Sequence, residues 1–301
     1  MKERGNTLES LYITAILLLR IVQALCNKNT SNEIRSIPML LRYGVLKNIL
    51  SAALGLILIL YTRNTLHFQA MTVLFAAFAG LSLLLGSFFS IYAMKSGTVS
   101  LNSMFATAGM ILPIFAGALL FQKPISPLQI VGLGLFFISA YLLIVSSRET
   151  YATFSAKTLL LLIGTLLANG CTMLAQQMFT QYVPDGDISL FSCLTFSMSA
   201  LLSWGIYLLR YRKKPTEDAG FSRSLILCGC ALAVAAFVIN QFVTVLTKSV
   251  APVVLFTIVN GGDTIISTIV AAVVYRERLR KRSVAGIILG VFSLVLIKLF
   301  A

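Results

Sequence analysis

Two ionisable residues stand deep in apolar stretches of this chain, and they are the first candidates for chemistry. Asp263 lies in the run FTIVNGGDTIIST, with Asn260 and Thr264 beside it. Arg20 interrupts the first apolar run, LYITAILLLRIVQAL. A charge inside a bilayer costs several kcal/mol, so such residues mark solute or ion sites, or pair with one another. A carboxylate at Asp263 suits the carriage of a proton or the neutralisation of a solute's charge. It equally suits a structural pairing with Arg20. Arg20 itself either pairs in this way or snorkels to the nearer interface, although its Cα–Cβ bond points toward the helix start, away from that interface. Arg42 and Lys47, early in the next apolar run, read as interfacial anchors.

Uncharged polar groups supply a second set of candidates. Gln23, Asn27, Asn102, Thr107, Asn169, Gln176, Gln177, Asn240, Gln241 and Asn260 all sit within apolar runs. An amide both donates and accepts hydrogen bonds, which suits polar or zwitterionic solutes. Any one of them also serves as interhelical glue, worth about 0.6 kcal/mol per bond. Other chemistry is poorly supplied. His67 is the single histidine, and the five cysteines lie in or beside apolar runs. Cys228 and Cys230 point about 200° apart on a helix, so they hold no metal together, and all five read as packing residues. No phosphate-binding glycine loop is present, so nucleotide-driven work within this chain is not expected.

The elements that position these residues follow from composition. Of 301 residues, 58% are hydrophobic and 11% charged, and the mean hydropathy is +0.91. A soluble domain carries about 25% charged residues. The bilayer is therefore the solvent, and a spanning helix needs about 20 apolar residues. Helices are predicted at 8–26, 39–61, 69–94, 97–121, 125–146, 157–181, 187–209, 223–246, 251–275 and 283–300. The charged start followed by an apolar run resembles a signal peptide, but no cleavage pattern follows, so the run is read as a retained helix. The adjacent Gly261 and Gly262 are expected to loosen the ninth helix beside Asp263. The net charge of +14 comes from Lys and Arg in the short gaps. That is the distribution that orients membrane helices, not a nucleic-acid surface.

The chain also repeats itself. Gln23 and Gln176 are 153 residues apart, as are Lys95-Ser96 and Lys248-Ser249. Gly132 and Gly286, Ser139 and Ser293, and Phe121 and Tyr275 are 154 apart. Such an offset indicates duplication. The expected fold class is an all-α polytopic membrane protein of about ten spans. Residues 1–146 form one five-helix repeat, 147–156 a linker, and 157–301 the second. Five is odd, so the second repeat enters the membrane inverted, an arrangement recurrent among transporters. The Gly286/Gly290 pair reads as a close contact within the chain rather than a dimer seam.

Several short motifs carry a resemblance. Ala93-Met94-Lys95-Ser96-Gly97-Thr98-Val99-Ser100 follows the pattern AL-K-Y-T-S-A-S, and Arg42-Tyr43 opens the second helix. Arg276-Glu277-Arg278-Leu279 leads to Gly286 and keeps a motif glutamate, while Gln122-Lys123-Pro124-Ile125, leading to Gly132, lacks it. In these features the chain resembles the EamA-type drug/metabolite transporter superfamily. The resemblance implies a ten-helix carrier of the cell membrane, with a central cavity formed mainly by helices 1, 3, 4, 6, 8 and 9. It also implies export and a small metabolite as substrate, and it implies no cofactor.

The combined expectation is a secondary carrier moving a small polar or amphipathic metabolite by alternating access. Its candidate substrate or coupling residues are Asp263, Asn260, Thr264, Arg20, Gln23, Asn102, Asn169, Gln176, Asn240 and Gln241. A cationic drug, a sugar conjugate or a lipid headgroup are alternative cargoes. A membrane enzyme is disfavoured by the lack of paired carboxylates or metal ligands in the apolar runs. A receptor or scaffold has no need of pseudo-symmetry. Orientation is contested. Loops after odd-numbered helices hold fifteen Lys/Arg and the other face six, which places both termini outside. The family habit places them inside.

Overall fold

The computed structural model describes residues 2–62, 68–96, 99–122, 125–148, 156–211, 220–274 and 281–299. His67 and the Arg276–Leu279 motif lie outside them. Eleven helices run through the described residues, with no strand among them: α1 Lys2–Glu33, α2 Ile37–Thr62, α3 Ala70–Ser96, α4 Val99–Ala108, α5 Ile111–Leu120, α6 Pro127–Arg148, α7 Ala156–Tyr182, α8 Ile188–Arg210, α9 Arg223–Leu246, α10 Pro252–Val273 and α11 Lys281–Leu299.

Among the described residues, eight segments are long and apolar enough to cross a membrane. They are Leu8–Glu33, Ile37–Thr62, Ala70–Lys95, Asn102–Leu120, Ala156–Tyr182, Ile188–Arg210, Arg223–Leu246 and Pro252–Val270. Within α6 and α11 the apolar stretches are shorter, Pro127–Ser139 and Val284–Ile297. The molecule is a multi-pass helical membrane protein. Its outer surface agrees, since Leu60, Leu119, Leu160, Leu209 and Ile288 stand exposed on it, and lipid is the solvent that tolerates them.

Local chemistry sets the helix ends. Ser126 and Gln129 cap α6 reciprocally, each side chain accepting from the other's backbone N–H. Asp187 caps α8 by accepting from the N–H groups of Ser189 and Leu190, and Ser222 caps α9 through Leu225 N–H. Pro252 opens α10, where a missing N–H costs nothing.

Two expectations about helix continuity are corrected. The predicted fourth helix, 97–121, is broken between α4 and α5 at Gly109-Met110. Pro113 is the cause: it has no N–H to bond the Gly109 carbonyl, and its ring would clash there. The turn tightens instead, with Leu112 N–H donating to Gly109 O over three residues at 3.1 Å. The predicted loosening at Gly261-Gly262 does not occur, and α10 is continuous from Pro252 to Val273. Gly262 serves close packing, because a Cβ there would strike the Leu17 side chain of α1.

Packing brings α2 against α8, α6 against α11, and α4 against α10. It also sets α3 on α7 and α8, α1 on α9 and α10, α2 on α9, and both α4 and α5 on α7. The closest approach is at the α4–α5 break. A Cβ on Gly109 would lie 2.5 Å from Leu166 O, and one on Gly170 would lie 2.6 Å from Gly109 O. Small residues likewise seat α6 on α11, where Ser139 Oγ donates to Gly286 O at 2.5 Å and Gly290 faces Ser139. The Gly286/Gly290 pair is thus used inside the chain.

Candidate functional site

A cavity of about 230 Å³ lies inside the bundle. Helix α1 contributes Arg20, Gln23, Asn27 and Thr30 to its wall, and α2 contributes Leu40, Tyr43, Gly44 and Lys47. From α3 come Ser82, Ser87 and Ser90, and from α7 come Asn169, Thr172 and Gln176. Ala236, Ile239, Asn240 and Val243 of α9 and Phe256, Val259 and Asn260 of α10 also line it, with Phe196 from α8. The wall mixes amides, hydroxyls and two cations with aliphatic surface, the composition of a site for a small polar or amphipathic molecule.

Helix α2 enters this wall and, among the described residues, α4 and α5 do not. The resemblance implies the reverse for the second and fourth helices. Lys47 is therefore not the interfacial anchor its place in the sequence suggests. It stands ten residues into α2, about 15 Å from that helix's start. It is half-buried, and its Nζ donates to Ser87 Oγ of α3 at 3.4 Å. Near the α1–α2 connection the wall is tied together. Tyr43 and Thr30 share a hydrogen bond of 3.1 Å, and Arg42 lies 5.4 Å over the Phe221 ring. Ser222, at the start of α9, donates to the Glu33 carboxylate.

Of the ten candidates, Arg20, Gln23, Asn169, Gln176, Asn240 and Asn260 line the cavity, and Asp263, Thr264, Asn102 and Gln241 lie outside its lining. Asp263 sits directly behind Arg20. Its Oδ1 is 4.0 Å from Arg20 Nε, and its Oδ2 accepts from Ser103 Oγ at 2.9 Å. Arg20 donates from Nη1 to Gln23 at 3.0 Å, while its buried Nε has no hydrogen-bond acceptor. The pair is thus an ion pair without a direct hydrogen bond, half in the wall and half behind it. Beside it, the Thr107 and Thr264 hydroxyls are 2.6 Å apart, and Thr107 Oγ1 also donates to Asn260 O at 2.8 Å. That bond fastens α4 to α10.

The amides divide between wall and glue. Gln176 donates to Thr244 Oγ1 at 3.3 Å, joining α7 to α9 at the cavity. The Ser192 hydroxyl is 2.9 Å from both Asn240 Oδ1 and Gln241 Oε1, and Gln241 donates in turn to Ser189. Gln241 is therefore turned toward α8. Asn102 donates to Ser90 at 2.7 Å, and Asn169 to Thr165 O at 3.0 Å. Sequence reasoning missed Lys47 and Ser103 as members of this site. Depth was the available signal for Lys47, because ten residues of helix carry it past the interface. Ser103 gave none, since serine is common in packed membrane helices.

Comparison with known proteins adds fold information. No known protein-family profile matches the chain. An uncharacterised protein of Haemophilus influenzae is 28% identical over 224 residues, covering 72% of this chain and 73% of its own. A protein of known crystal structure superposes with a TM-score of 0.73 over 98% of both chains, at 14% identity. The overall fold therefore has a solved counterpart.

Proposed function

We propose that this chain is a secondary carrier of the cell membrane, moving a small polar or amphipathic metabolite by alternating access, as its resemblance to EamA-type exporters implies. The observation that carries the reading is the cavity itself. It is a chamber of mixed polar and aliphatic lining inside an apolar bundle, walled by helices from both ends of the sequence. A packed structural core would fill that volume with side chains.

The packing supports a ten-span fold of two inverted repeats. Relating α1 to α7, α2 to α8, α3 to α9, α4–α5 to α10 and α6 to α11 maps the principal contacts onto one another. The α3–α7 contact becomes α1–α9, the α3–α8 contact becomes α2–α9, and the α1–α10 contact becomes α4 and α5 against α7. The α2–α8, α6–α11 and α4–α10 pairs map onto themselves. Single residues follow. Gly109 meets Gly170, and Leu17 meets Gly262, each partner displaced by 153 residues. Ser139 meets Gly286, and Gly132 meets Ser293, displaced by 154. Two bundles related in this way, with a site between them, rock about it.

Arg20 and Gln23 from the first repeat, and Gln176, Asn240 and Asn260 from the second, then hold the solute. Asp263 balances the charge of Arg20 from behind. Flux assays test the reading: vesicles reconstituted with the purified chain should exchange a solute that empty vesicles retain. A metabolite panel that produces no protein-dependent exchange would remove the carrier reading.

A further inference from the structure

We infer that the cavity recognises its solute by an anionic group, a carboxylate or phosphate-type oxyanion, with Lys47 and Arg20 as its counter-charges. This rests on the carrier reading and names its substrate class. Among the described residues the cavity wall carries two cations, Arg20 and Lys47, and neither aspartate nor glutamate. One carboxylate, Asp263, stands 4.0 Å behind Arg20. Counting all three, the site keeps one positive charge in excess.

Lys47 is the excess. Its ammonium carries three donors, and its hydrogen bond to Ser87, at 3.4 Å, is a long one to a neutral partner. A cation left without a counter-ion inside a membrane protein costs several kcal/mol unless water or a ligand's charge compensates it. Depth places the two cations together. The α1–α2 connection, residues 34–36, is a common reference for both helices. Arg20 lies thirteen residues before the end of α1 and Lys47 ten after the start of α2. At 1.5 Å per residue these are about 20 Å and about 15 Å from the same end of the bundle. An oxyanion between the two levels meets the lysine on one side and the Arg20–Gln23 pair on the other. Aliphatic surface from Ile239, Val243 and Val259 takes the apolar remainder of the solute. A cationic drug would face like charge in the same wall, which costs several kcal/mol.

The test uses the purified full-length chain and three probes of one skeleton, butanoate, butanamide and butylamine, with inorganic phosphate as a fourth, at matched ionic strength. Butanoate or phosphate should raise the melting temperature, by about 2 °C at ten times the Kd, while the amide and amine should not. Lys47→Met should lose that response and Lys47→Arg should keep it. Equal stabilisation by the amine or amide, no response to either anion at millimolar concentrations, or an unchanged response in Lys47→Met would each overturn the inference. The wild-type comparison of acid, amide and amine decides the matter even if Lys47→Met fails to fold. An anionic phospholipid that stabilises the chain more strongly than the soluble anions, and removes their further effect, would assign the same anion site to a headgroup. Vesicle flux separates the two readings. Exchange confined to neutral or cationic solutes keeps the carrier and removes the anion site. Anion stabilisation without flux of any solute does the opposite.

Discussion

Replacing Asp263 with Asn, Arg20 with Gln, and then both, measures how the charge pair behind the cavity works. Two unit charges at the observed 4.0 Å attract by about 4 kcal/mol at an effective dielectric constant of 20. The geometry lowers that figure. The Arg20 side chain keeps 21% of its surface exposed and that of Asp263 16%, and no direct hydrogen bond joins them. A coupling of about 1–2 kcal/mol follows, within the range measured for contacting pairs. Asp263→Asn preserves an acceptor for Ser103 but strands the guanidinium. Arg20→Gln strands the carboxylate on one hydroxyl. Each single change should cost about 2–3 kcal/mol, or roughly 3–5 °C in melting temperature for a chain of this size. The double variant should be more stable than the sum of the singles by the coupling. Thermal unfolding in detergent supplies the four corners of the cycle, and vesicle flux supplies the second readout. If Arg20 serves only to balance Asp263, the double variant recovers the transport lost in either single. If Arg20 holds the solute, as proposed, transport stays lost although the fold is restored. Single effects that add within about 0.5 kcal/mol would refute the pairing itself.

Other consequences follow from the packing and the repeat. Gly170→Ala would place a Cβ 2.6 Å from the Gly109 carbonyl, and α4–α5 must shift to relieve it. A melting temperature lowered by several degrees is expected, whereas Gly134→Ala, with open space around it, should hold or raise it. Lys95, in the last turn of α3, and Lys248, just past the end of α9, stand exposed at corresponding helix ends. Cysteines placed there in a cysteine-free background should be tagged by an impermeant reagent from opposite faces of the membrane. Labelling of both from one face would contradict the inversion. The same experiment fixes which face the basic loops occupy.

Much of this architecture was legible because lipid imposes one rule, that backbone polar groups pair within each segment. The ten apolar runs correspond to α1 through α11, with the fourth divided. The Arg20–Asp263 pairing was legible too, since both lie at similar depth in helices expected to run the same way. The division at Gly109 was less so. Its agent, Pro113, was present in the sequence, but whether a membrane helix bends or breaks at proline depends on the neighbour that receives it. Here that neighbour is Gly170, which lets the broken turn approach α7. Lys47 was misjudged for a similar reason. Which face of α2 turns inward depends on its packing against α8 and α9, and the apolar residues around Lys47 do not reveal it. The cavity amides could not be sorted from interhelical glue by type, because Gln241 and Asn240 are neighbours in sequence. Only the second lines the cavity, while the first is turned to Ser189.

The proposed alternating access of one chamber to both sides of the membrane is measured most directly at Ala236. This residue lines the cavity midway along α9. Ala236→Cys, in a chain whose five native cysteines have been replaced, is reconstituted and exposed to an impermeant thiol reagent, first outside the vesicles and then inside. Alternating access predicts labelling from each side separately, with a solute that favours one state slowing labelling from the other. Labelling from one side only under every condition would contradict the account.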